Sequence, residues 1–481
     1  MCIRDSVAAS TARDGTVLYL SDDGLRLRRP NGRIQQLGWP LSYRAPEAPR
    51  ALVIRNVRVF DGVDSVLSAP RDIVVQEGRV ARTAPSGSID VRRGMQVLDA
   101  GGRVAIPGLI DMHSHALLDT RTAGQLYHGV TTVRDVGSPA PWTAAARDAV
   151  EAGARTGARI VIGGFLFYST AGSGATGFTQ QIVQDSGAID RGMRIARGLG
   201  ARYVKHRTFE DWTSAVRTIA GAHAHGLPVS GHCAHILPLV AAGIDGKEHS
   251  GDCFRDFGRI YDDFTSLYAA AGLWVDPTTG FWEPMLHLAA DTALFERRDV
   301  SPFVAPGVRA LYGRRMPVPT LERGNRRNAE RTAALIAAGV PLVTGTDAGM
   351  PQALHWELGA LVRAGLTPRQ ALMAATSVAA RVLGADADLG TITPGKLADL
   401  IIVDGNPLED IANTQRIWRV VQGGRIIDRD ALLDAEAKAA VEDLVVANAP
   451  AAGCPSSRTA GRAVCSHERC PPARETGRCQ P

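Results

Sequence analysis

Two histidines spaced two residues apart, His113 and His115, carry the strongest chemical signal in the sequence. They follow the apolar run GLIDM, which predicts that they lie at the end of a β-strand. Side chains alternate along a strand, so residues two apart point to the same side. Two imidazoles on one side of a strand can bind one divalent metal ion. The pair therefore predicts the first part of a metal site.

A second pair with the same spacing, His223 and His225, lies in the alanine-rich stretch AVRTIAGAHAHG. This stretch has a helical pattern, and side chains two apart on a helix of ~3.6 residues per turn diverge by roughly 200°. Diverging imidazoles cannot share a metal ion. We interpret these two as ordinary surface or packing histidines.

Four further residues with metal-binding or catalytic side chains end other strand-like runs: Lys205 in RYVK, His232 in PVSGH, His249 in GKEH and Asp347 in VTGTD. Each one alone has an ordinary interpretation, such as a solvated lysine, a capping aspartate or a hydrogen-bonded core histidine. Together with the first pair, they put six competent side chains at strand ends, which favours one shared site. His235 is an alternative to His232; we prefer His232 because the strand PVSG runs directly into it.

The elements that must position these residues alternate between strand and helix patterns. Eight strand-like runs end near residues 115, 137, 164, 206, 232, 250, 279 and 349, and alanine-rich amphipathic stretches lie between most of them. A doubly wound sheet also alternates, but eight units with functional residues at the strand ends favour an α/β fold of the (β/α)8 type. Active sites of such barrels lie at the C-terminal ends of the strands. We therefore predict a TIM barrel over residues 106–388.

Strand-like runs flank this central region on both sides. Three lie in residues 51–105 and two in residues 389–430. This split predicts a small β-sandwich subdomain built from both flanks of the barrel. Residues 431–448 are predicted to form a C-terminal helix.

The two ends of the chain have a different character. Residues 1–50 contain short runs separated by Asp-Gly and Asn-Gly turns, which predict a β-rich appendage and linker resembling part of one blade of a TolB-like propeller. This segment is either a truncated domain or a packed appendage. Residues 449–481 hold four of the seven cysteines among Pro, Arg, Ser and Gly. We expect a disordered tail there, with a small metal or disulfide module as the alternative.

Composition and charge narrow the function class. The 481 residues carry a net charge of +5, which is small for this length and predicts no nucleic-acid surface. No apolar run reaches the ~20 residues that span a membrane, so we expect no membrane partner. We also expect a small-molecule substrate and a homo-oligomer. The first six residues, MCIRDS, show no signal-peptide pattern and resemble a cloning remnant. The compartment, cytoplasm or periplasm, is therefore left open.

The motifs GLIDMHSH, YVK, SGH, KEHSG and GTDAGMP, followed by LGTITPGKLADLIIVDGNP, resemble the amidohydrolase superfamily. The resemblance covers roughly Ala51 to Asp428. It is greatest with the branch of imidazolonepropionases and Xaa-Pro dipeptidase-like proteins, some of which are joined to TolB-like propellers. The sixth strand departs from the pattern, because Lys247 and Glu248 precede the histidine in place of an apolar residue.

The resemblance implies a centre of two divalent metal ions, which we expect to be zinc. The implied ligands are His113, His115 and Asp347 for the first ion, and His232 and His249 for the second. Lys205 would be carboxylated by carbon dioxide and bridge both ions. Its carbamate, unlike a neutral amine, is an anionic ligand with two oxygens.

The resemblance also implies the chemistry. Two ions about 3.5–4 Å apart share a hydroxide that attacks a carbonyl carbon, while Asp347 passes its proton to the leaving nitrogen. We expect hydrolysis of a C–N bond in a dipeptide or an N-acyl amino acid. A cyclic amide, a lactone or a phosphotriester could react at the same centre, and these substrates are the alternatives. A non-catalytic scaffold is disfavoured, because scaffold relatives usually lack the ligands that all six positions hold here.

Four further side chains are candidates for substrate binding. Tyr168, in the Gly- and Ser-rich segment FLFYSTAGSGATGF after the third strand, could hydrogen-bond the tetrahedral oxygen or be a packed loop tyrosine. Arg314 and Arg315 lie in a connection of about sixty residues after WVDPTT, where they could bind a carboxylate or remain solvated. His206 should face away from Lys205 by strand alternation, unless strand twist turns it into the pocket.

Overall fold

A computed structural model describes residues 8–21, 24–37, 50–115, 122–138, 140–168, 180–182, 186–207, 212–232, 236–250, 262–313 and 316–448. The chain divides into two units, residues 1–438 and 439–481. Of the second unit, residues 439–448 are described, and they are helical. Among the described residues, no helix combines the length and apolar character needed to cross a membrane.

The described residues contain strands of three sheets. The first nine, in chain order, are β1 (Ala8–Thr11), β2 (Val17–Ser21), β3 (Gly24–Arg28), β4 (Ile34–Leu37), β5 (Leu52–Val59), β6 (Arg71–Gln76), β7 (Arg79–Pro85), β8 (Gln96–Asp99) and β9 (Val104–Pro107). The next eight are β10 (Leu109–Ser114), β11 (Val130–Asp135), β12 (Arg159–Tyr168), β13 (Gln180–Ile182), β14 (Tyr203–Arg207), β15 (Val229–His232), β16 (Gly246–Glu248) and β17 (Trp274–Asp276). The last three are β18 (Leu400–Val403), β19 (Ile417–Gln422) and β20 (Arg425–Ile426).

Helices connect most of the central strands. The first seven are α1 (Thr122–Tyr127), α2 (Ala140–Glu151), α3 (Ser186–Gly198), α4 (Trp212–Ala224), α5 (Ile236–Ala241), α6 (Asp262–Ala270) and α7 (Glu283–Ala290). The others are α8 (Pro306–Tyr312), α9 (Val318–Ala337), α10 (Ala353–Arg363), α11 (Pro368–Ala374), α12 (Ser377–Val382) and α13 (Arg429–Asn448). The long connection after β17 therefore consists largely of α7, α8 and α9 and is not an open loop.

Among the described residues, the central sheet has eight parallel strands: seven follow one another in the order β10, β11, β12, β14, β15, β16 and β17, and the short β13 also pairs with β12. The helices bury apolar faces against it, as α3 does with Ile189, Met193 and Ala196 at the three- and four-residue spacing of one helix face. Parallel strands that alternate with helices agree with the predicted α/β class and with a TIM-like barrel.

The segment 341–347 links the two edges of this sheet. On one side, the backbone N–H of Val343 donates to the carbonyl of Val275 in β17 at 3.0 Å. On the other side, the N–H of Met112 in β10 donates to the carbonyl of Thr344 at 2.9 Å, and the N–H of Asp347 donates to the carbonyl of His113 at 2.9 Å. The sheet is therefore nearly closed, and this segment brings Asp347 beside the end of β10.

The third strand of the barrel is longer than predicted. From the sequence we predict that this strand ends near residue 164 and that residues 165–168 belong to a substrate loop. This prediction is wrong, because the backbone of residues 165–168 is part of the strand. β12 continues to Tyr168, which pairs with Arg207 of β14. A register shift between Gly163 and Leu166 lets the strand continue past its two glycines, which had suggested a strand end.

Strands from both flanks of the barrel form one mixed sheet. β18 pairs antiparallel with β9, which also pairs with β5, so the two flanks are hydrogen-bonded to each other. The buried side chains of this sheet form a separate apolar core, which includes Leu52, Ile54, Ile73, Leu400 and Ile402. A joint subdomain from both flanks agrees with the expectation. The arrangement of its strands as a sandwich of two facing sheets stays a prediction.

The N-terminal strands β1 to β4 form an antiparallel meander. Asp14 stabilises its first turn, because its carboxylate accepts hydrogen bonds from the backbone N–H and the hydroxyl of Thr16. Propeller blades also have four strands, but the truncated-propeller interpretation stays a prediction. The cysteine-bearing tail lies outside the described residues, and the domain boundaries proposed from the sequence also stay predictions.

Candidate metal centre

The six side chains predicted as metal ligands lie at one end of the barrel. His113 is in β10, Lys205 is in β14, and His232 is the last residue of β15. His115 follows directly after β10, and His249 follows directly after β16. Asp347 is the last residue of the segment 341–347. The four histidines lie at or directly after the C-terminal ends of their strands, where the barrel prediction places a site. Lys205 is in the middle of β14, and Asp347 is in the segment 341–347, outside the named strands.

Asp347 contacts three of the histidines. Its Oδ1 lies 3.1 Å from Nε2 of His115 and 3.6 Å from Nε2 of His113. Its Oδ2 lies 3.8 Å from Nε2 of His249. One carboxylate therefore faces the Nε2 atoms of three imidazoles, which is an arrangement suited to sharing metal ions.

The remaining contacts complete the cluster. The ring centroid of His249 lies 4.7 Å from the ring centroid of His113 and 4.6 Å from that of His232. Nζ of Lys205 lies 3.2 Å from Nε2 of His113. The structure thus brings all six predicted side chains together.

The backbone at this end of the barrel is strained. Asp347, His249 and Thr278 have positive φ angles of 47°, 65° and 43°, a region that non-glycine residues adopt at a cost of about 1–3 kcal/mol each. Thr278 also lies against His249, with Oγ1 2.7 Å from Nδ1. This hydrogen bond fixes the ring so that Nε2 points toward Asp347. Strain of this kind clusters at functional sites.

A buried carboxylate that the sequence analysis did not assign to the site holds the other side of His113. Oε2 of Glu248 lies 2.9 Å from Nδ1 of His113, and both side chains are almost fully buried. Arg134 donates to the second oxygen of Glu248 at 2.9 Å and to Oγ of Ser230 at 2.6 Å. Since Nδ1 donates its proton to Glu248, the lone pair of Nε2 is left for a metal ion.

Two aspartates support the same strand end. Oδ2 of Asp276 lies 3.4 Å from Nδ1 of His113. Asp111 accepts hydrogen bonds from the backbone N–H of His113 at 3.0 Å and from the hydroxyl of Thr346 at 2.8 Å, so it ties β10 to the segment that carries Asp347. Burial raises the pKa of Asp111 to about 7. One feature of the sequence could have identified Asp111 and Asp276: each is an acidic residue inside an otherwise apolar strand run.

His113, Glu248 and Asp276 also converge closely enough to hold an ion on the Nδ1 side of the ring. The guanidinium of Arg134, 2.9 Å from Glu248, already supplies the positive charge there. A metal ion beside this buried cation would be repelled. We therefore assign the candidate metal centre to the Nε2 side, where the six predicted side chains meet.

The electrostatics of the cluster favour cations. Burial and Lys205 lower the pKa of His113, but the carboxylates of Asp347 and Glu248 outweigh them and raise it to about 9. Burial raises the pKa of Asp347, but His113, His115 and His249 outweigh it and hold this pKa well below its usual value. A site that stabilises positive charge on a buried imidazole also attracts a metal cation.

The donor set fits divalent metal ions. Imidazole nitrogens and a carboxylate are zinc ligands, and hydrogen bonds to Glu248 and Thr278 hold Nδ1 of two of the rings. Lys205 is 4% exposed and its Nζ lies among these groups. A second divalent ion needs more negative charge than Asp347 supplies, and carboxylation of Lys205 would add it.

The structure describes only some of the other candidate residues named from the sequence. Arg314 and Arg315 lie outside the described residues, as do His235 and the side chain of Tyr168. His206 is 2% exposed in β14, and its substrate role stays a prediction. His223 and His225 point to different aspartates, Asp245 at 2.9 Å and Asp190 at 2.8 Å, which agrees with their interpretation as ordinary histidines.

A cavity of about 270 Å³ opens beside the cluster. His232, His249 and Asp347 line one part of it. Other lining residues come from the segment after β17 and from α9: Pro277, Phe281, Trp282, Arg327, Asn328 and Arg331. A small molecule in this cavity would touch the candidate metal centre.

Comparisons with known proteins agree with this geometry. A sequence profile of the Amidohydrolase family matches residues 104–427. An imidazolonepropionase from Anaeromyxobacter sp. is 25% identical over 431 residues, which cover 78% of this chain and 96% of that protein. A 5-methylthioadenosine/S-adenosylhomocysteine deaminase from Symbiobacterium thermophilum is 24% identical over 380 residues, 69% of this chain and 80% of that protein. A solved Xaa-Pro dipeptidase with bound methionine shares the fold, with a TM-score of 0.63 and 22% identity over 78% of this chain and 99% of that one.

Proposed function

The chain belongs to the amidohydrolase family, and from this premise we propose that it is a metal-dependent hydrolase of a dipeptide or an N-acyl amino acid. The observation that supports this proposal is the convergence of four histidines, Lys205 and Asp347 at the barrel mouth. The similarity to an imidazolonepropionase and to a deaminase supports the broader class, a hydrolase that acts on C–N bonds. The substrate is our own inference.

We assign His113, His115 and Asp347 to one metal ion, and His232 and His249 to the other. Lys205, carboxylated by carbon dioxide, would bridge them. When bound, the ions would supply an activated water and polarise the substrate carbonyl. Zinc is the ion we expect, because the donors are imidazole nitrogens and carboxylate oxygens.

The chain's own residues then position and move a proton. Asp347 is ionised, because three histidines keep its pKa low. Its carboxylate can therefore accept a proton from the attacking water. Its position between His115 and His249 lets it pass that proton to a leaving nitrogen in the adjacent cavity. Glu248 keeps His113 in the tautomer whose Nε2 is free to bind.

The donor set alone does not choose the substrate. Hydrolysis of a cyclic amide, a lactone or a phosphotriester remains the alternative, since the same groups serve each reaction. The dipeptide or N-acyl amino acid is favoured by the cavity, which combines aromatic walls with arginines. A non-catalytic scaffold has no need for six converging ligand side chains.

The test combines metal content and activity. We expect two equivalents of zinc per chain by elemental analysis, and a loss of bound zinc in Lys205→Ala. We also expect hydrolysis within a panel of Xaa-Pro dipeptides, Xaa-Arg dipeptides and N-acyl aromatic amino acids. Fewer than one equivalent in zinc-loaded protein would contradict the two-metal assignment. Activity only on lactones or phosphotriesters would contradict the substrate class.

A further inference from the structure

A buried glutamate outside the histidine cluster contacts the turn that follows β17. Glu357 lies in α10 and is 2% exposed. Its Oε1 accepts a hydrogen bond from the backbone N–H of Thr279 at 2.8 Å, and its Oε2 accepts one from the N–H of Gly280. The carboxyl group thus binds two consecutive backbone donors and holds this turn against α10.

The turn comes close to α10 because Gly280 has no side chain. A Cβ atom at that position would lie 3.0 Å from Oε2 of Glu357 and 3.3 Å from Cα of the same residue. On the other side, Oγ1 of Thr279 lies 2.9 Å from Oγ1 of Thr332 in α9. Contacts with two helices therefore fix the two residues that Glu357 binds.

The residue directly before these two contacts a candidate metal ligand. Thr278 has a positive φ of 43°, and its Oγ1 lies 2.7 Å from Nδ1 of His249. A non-glycine residue keeps such a conformation only when its surroundings determine it. The hydrogen bonds from Thr279 and Gly280 to Glu357 supply part of this constraint, because they fix the backbone that follows Thr278.

We propose that Glu357 is a positioning residue for His249. It holds the turn in which the hydroxyl of Thr278 meets Nδ1 of His249, and this contact presents Nε2 to the second metal ion. A histidine ligand is oriented by the partner to which its other ring nitrogen donates. Glu357 acts through Thr278 and is not itself a ligand. This inference rests on the proposed function, which assigns His249 to the second ion.

The first test is a double-variant cycle on zinc binding, measured by competition with a chromophoric chelator. Glu357→Gln replaces one acceptor with an NH2 group that faces a backbone N–H, and it should raise the dissociation constant of the second ion about tenfold or more. Thr278→Val removes the hydroxyl and should raise it about 10–100-fold. The double variant should bind the second ion as Thr278→Val does, because both changes break the same contact with His249.

Two controls separate positioning from a general loss of stability. Asp72 in β6 is also a buried carboxylate, and it accepts hydrogen bonds from the backbone N–H of Asn56 at 3.1 Å and of Gly87 at 2.9 Å. Asp72→Asn should lower the melting temperature and leave both zinc ions bound. Thr278→Ser keeps the hydroxyl and should bind the second ion normally.

A second test works without metal. Crystal structures of the metal-free wild-type protein and of metal-free Glu357→Gln give the distance from Nδ1 of His249 to Oγ1 of Thr278. We expect a hydrogen bond in the wild-type protein and a separation above about 3.5 Å in the variant. An unchanged distance in the variant would overturn the inference.

Failure of this inference differs from failure of the proposed function. Unchanged binding of the second ion in Glu357→Gln, equal weakening of both ions, or a further loss in the double variant would overturn the positioning role alone. A wild-type protein that binds no second zinc ion would contradict the two-metal assignment. The metal-free structures would then still decide whether Glu357 holds the ring of His249.

Discussion

Nδ1 of His113 lies 2.9 Å from Oε2 of Glu248, and both side chains are almost fully buried. Arg134 binds the other oxygen of Glu248 from the far side. Burial raises the pKa of Glu248, but Arg134 and His113 outweigh it and keep this pKa well below its usual value. The carboxylate is therefore a permanent acceptor, and it determines which nitrogen of His113 faces the candidate metal centre.

Glu248→Gln should weaken zinc binding about 10–100-fold, the usual cost of losing an outer partner of a histidine ligand. The amide NH2 group would face either Arg134 or Nδ1–H of His113, and both are donors. The change also leaves the charge of Arg134 buried without a counterion, which should lower the melting temperature. Zinc affinity is measured by competition with a chromophoric chelator. Glu322→Gln, at an exposed position of α9, is the control and should bind zinc normally.

Asp347→Asn should lower kcat about 10²–10⁴-fold on any substrate the protein hydrolyses, because an amide cannot accept the proton that a carboxylate accepts. The measurement is kcat on zinc-loaded protein, with bound metal determined in the same sample. Asp148→Asn is a suitable control, since Asp148 is an exposed residue of α2 whose carboxylate pairs with Arg147. A variant that keeps its metal and retains kcat within a factor of ten would refute the proton-transfer role.

The six-residue cluster was predictable because strand ends are local features of the sequence. Each ligand candidate follows an apolar run, and the barrel brings those ends together. The partnership of Arg134 with Glu248 was not predictable in this way. These residues are 114 positions apart, and nothing local indicates that a charge in TTVRDVG neutralises one in GKEHS.

The length of β12 shows a second limit. The two glycines in RIVIGGFLFY resemble a strand end, yet three of the four residues after them are aromatic, and aromatic residues favour strands. The neighbouring strands β13 and β14 supply that pairing. Whether a glycine ends a strand or marks an irregularity inside it depends on these neighbours, which local patterns do not reveal.

Gly345→Ala should destabilise the protein by about 1–3 kcal/mol, the usual range for overpacking, and should reduce zinc binding. A Cβ atom there would collide with Oδ2 of Asp276 and lie 2.5 Å from Cβ of His113. The segment 341–347 must therefore move away from β10, and Asp347 would move with it. Urea unfolding and zinc titration measure the two effects.

Gly359→Ala is the matched control for this change. Gly359 is inside α10, and its added Cβ would meet only the flexible end of Arg363, at 3.3 Å. Alanine has a higher helix propensity than glycine, so we expect stabilisation of about 0.5–1 kcal/mol and normal zinc binding. Equal destabilisation by both alanines would contradict the close-approach argument for Gly345.

His355 should make stability depend on pH. It is buried in α10, where Nε2 lies 2.8 Å from the carbonyl of His128 and donates its proton there. Burial lowers the pKa of His355 to about 4, against 6.5 for a free histidine. Between these values the unfolded chain binds a proton that the folded protein does not, so stability falls as the pH is lowered from about 6.5 to 4. The contribution of His355 to this loss should be about 3 kcal/mol over this range.

His355→Gln should remove the contribution of His355 to this dependence. A glutamine amide can still donate to the carbonyl of His128, but it carries no charge at any pH. The measurement is the free energy of unfolding in urea at several pH values between 7 and 4, on chelator-treated protein so that metal release does not contribute. Burial also lowers the pKa of His128, to about 3, so about half of the dependence that these two histidines cause together should remain in the variant. Identical slopes for the variant and the wild-type protein would show that His355 is not held neutral by the fold.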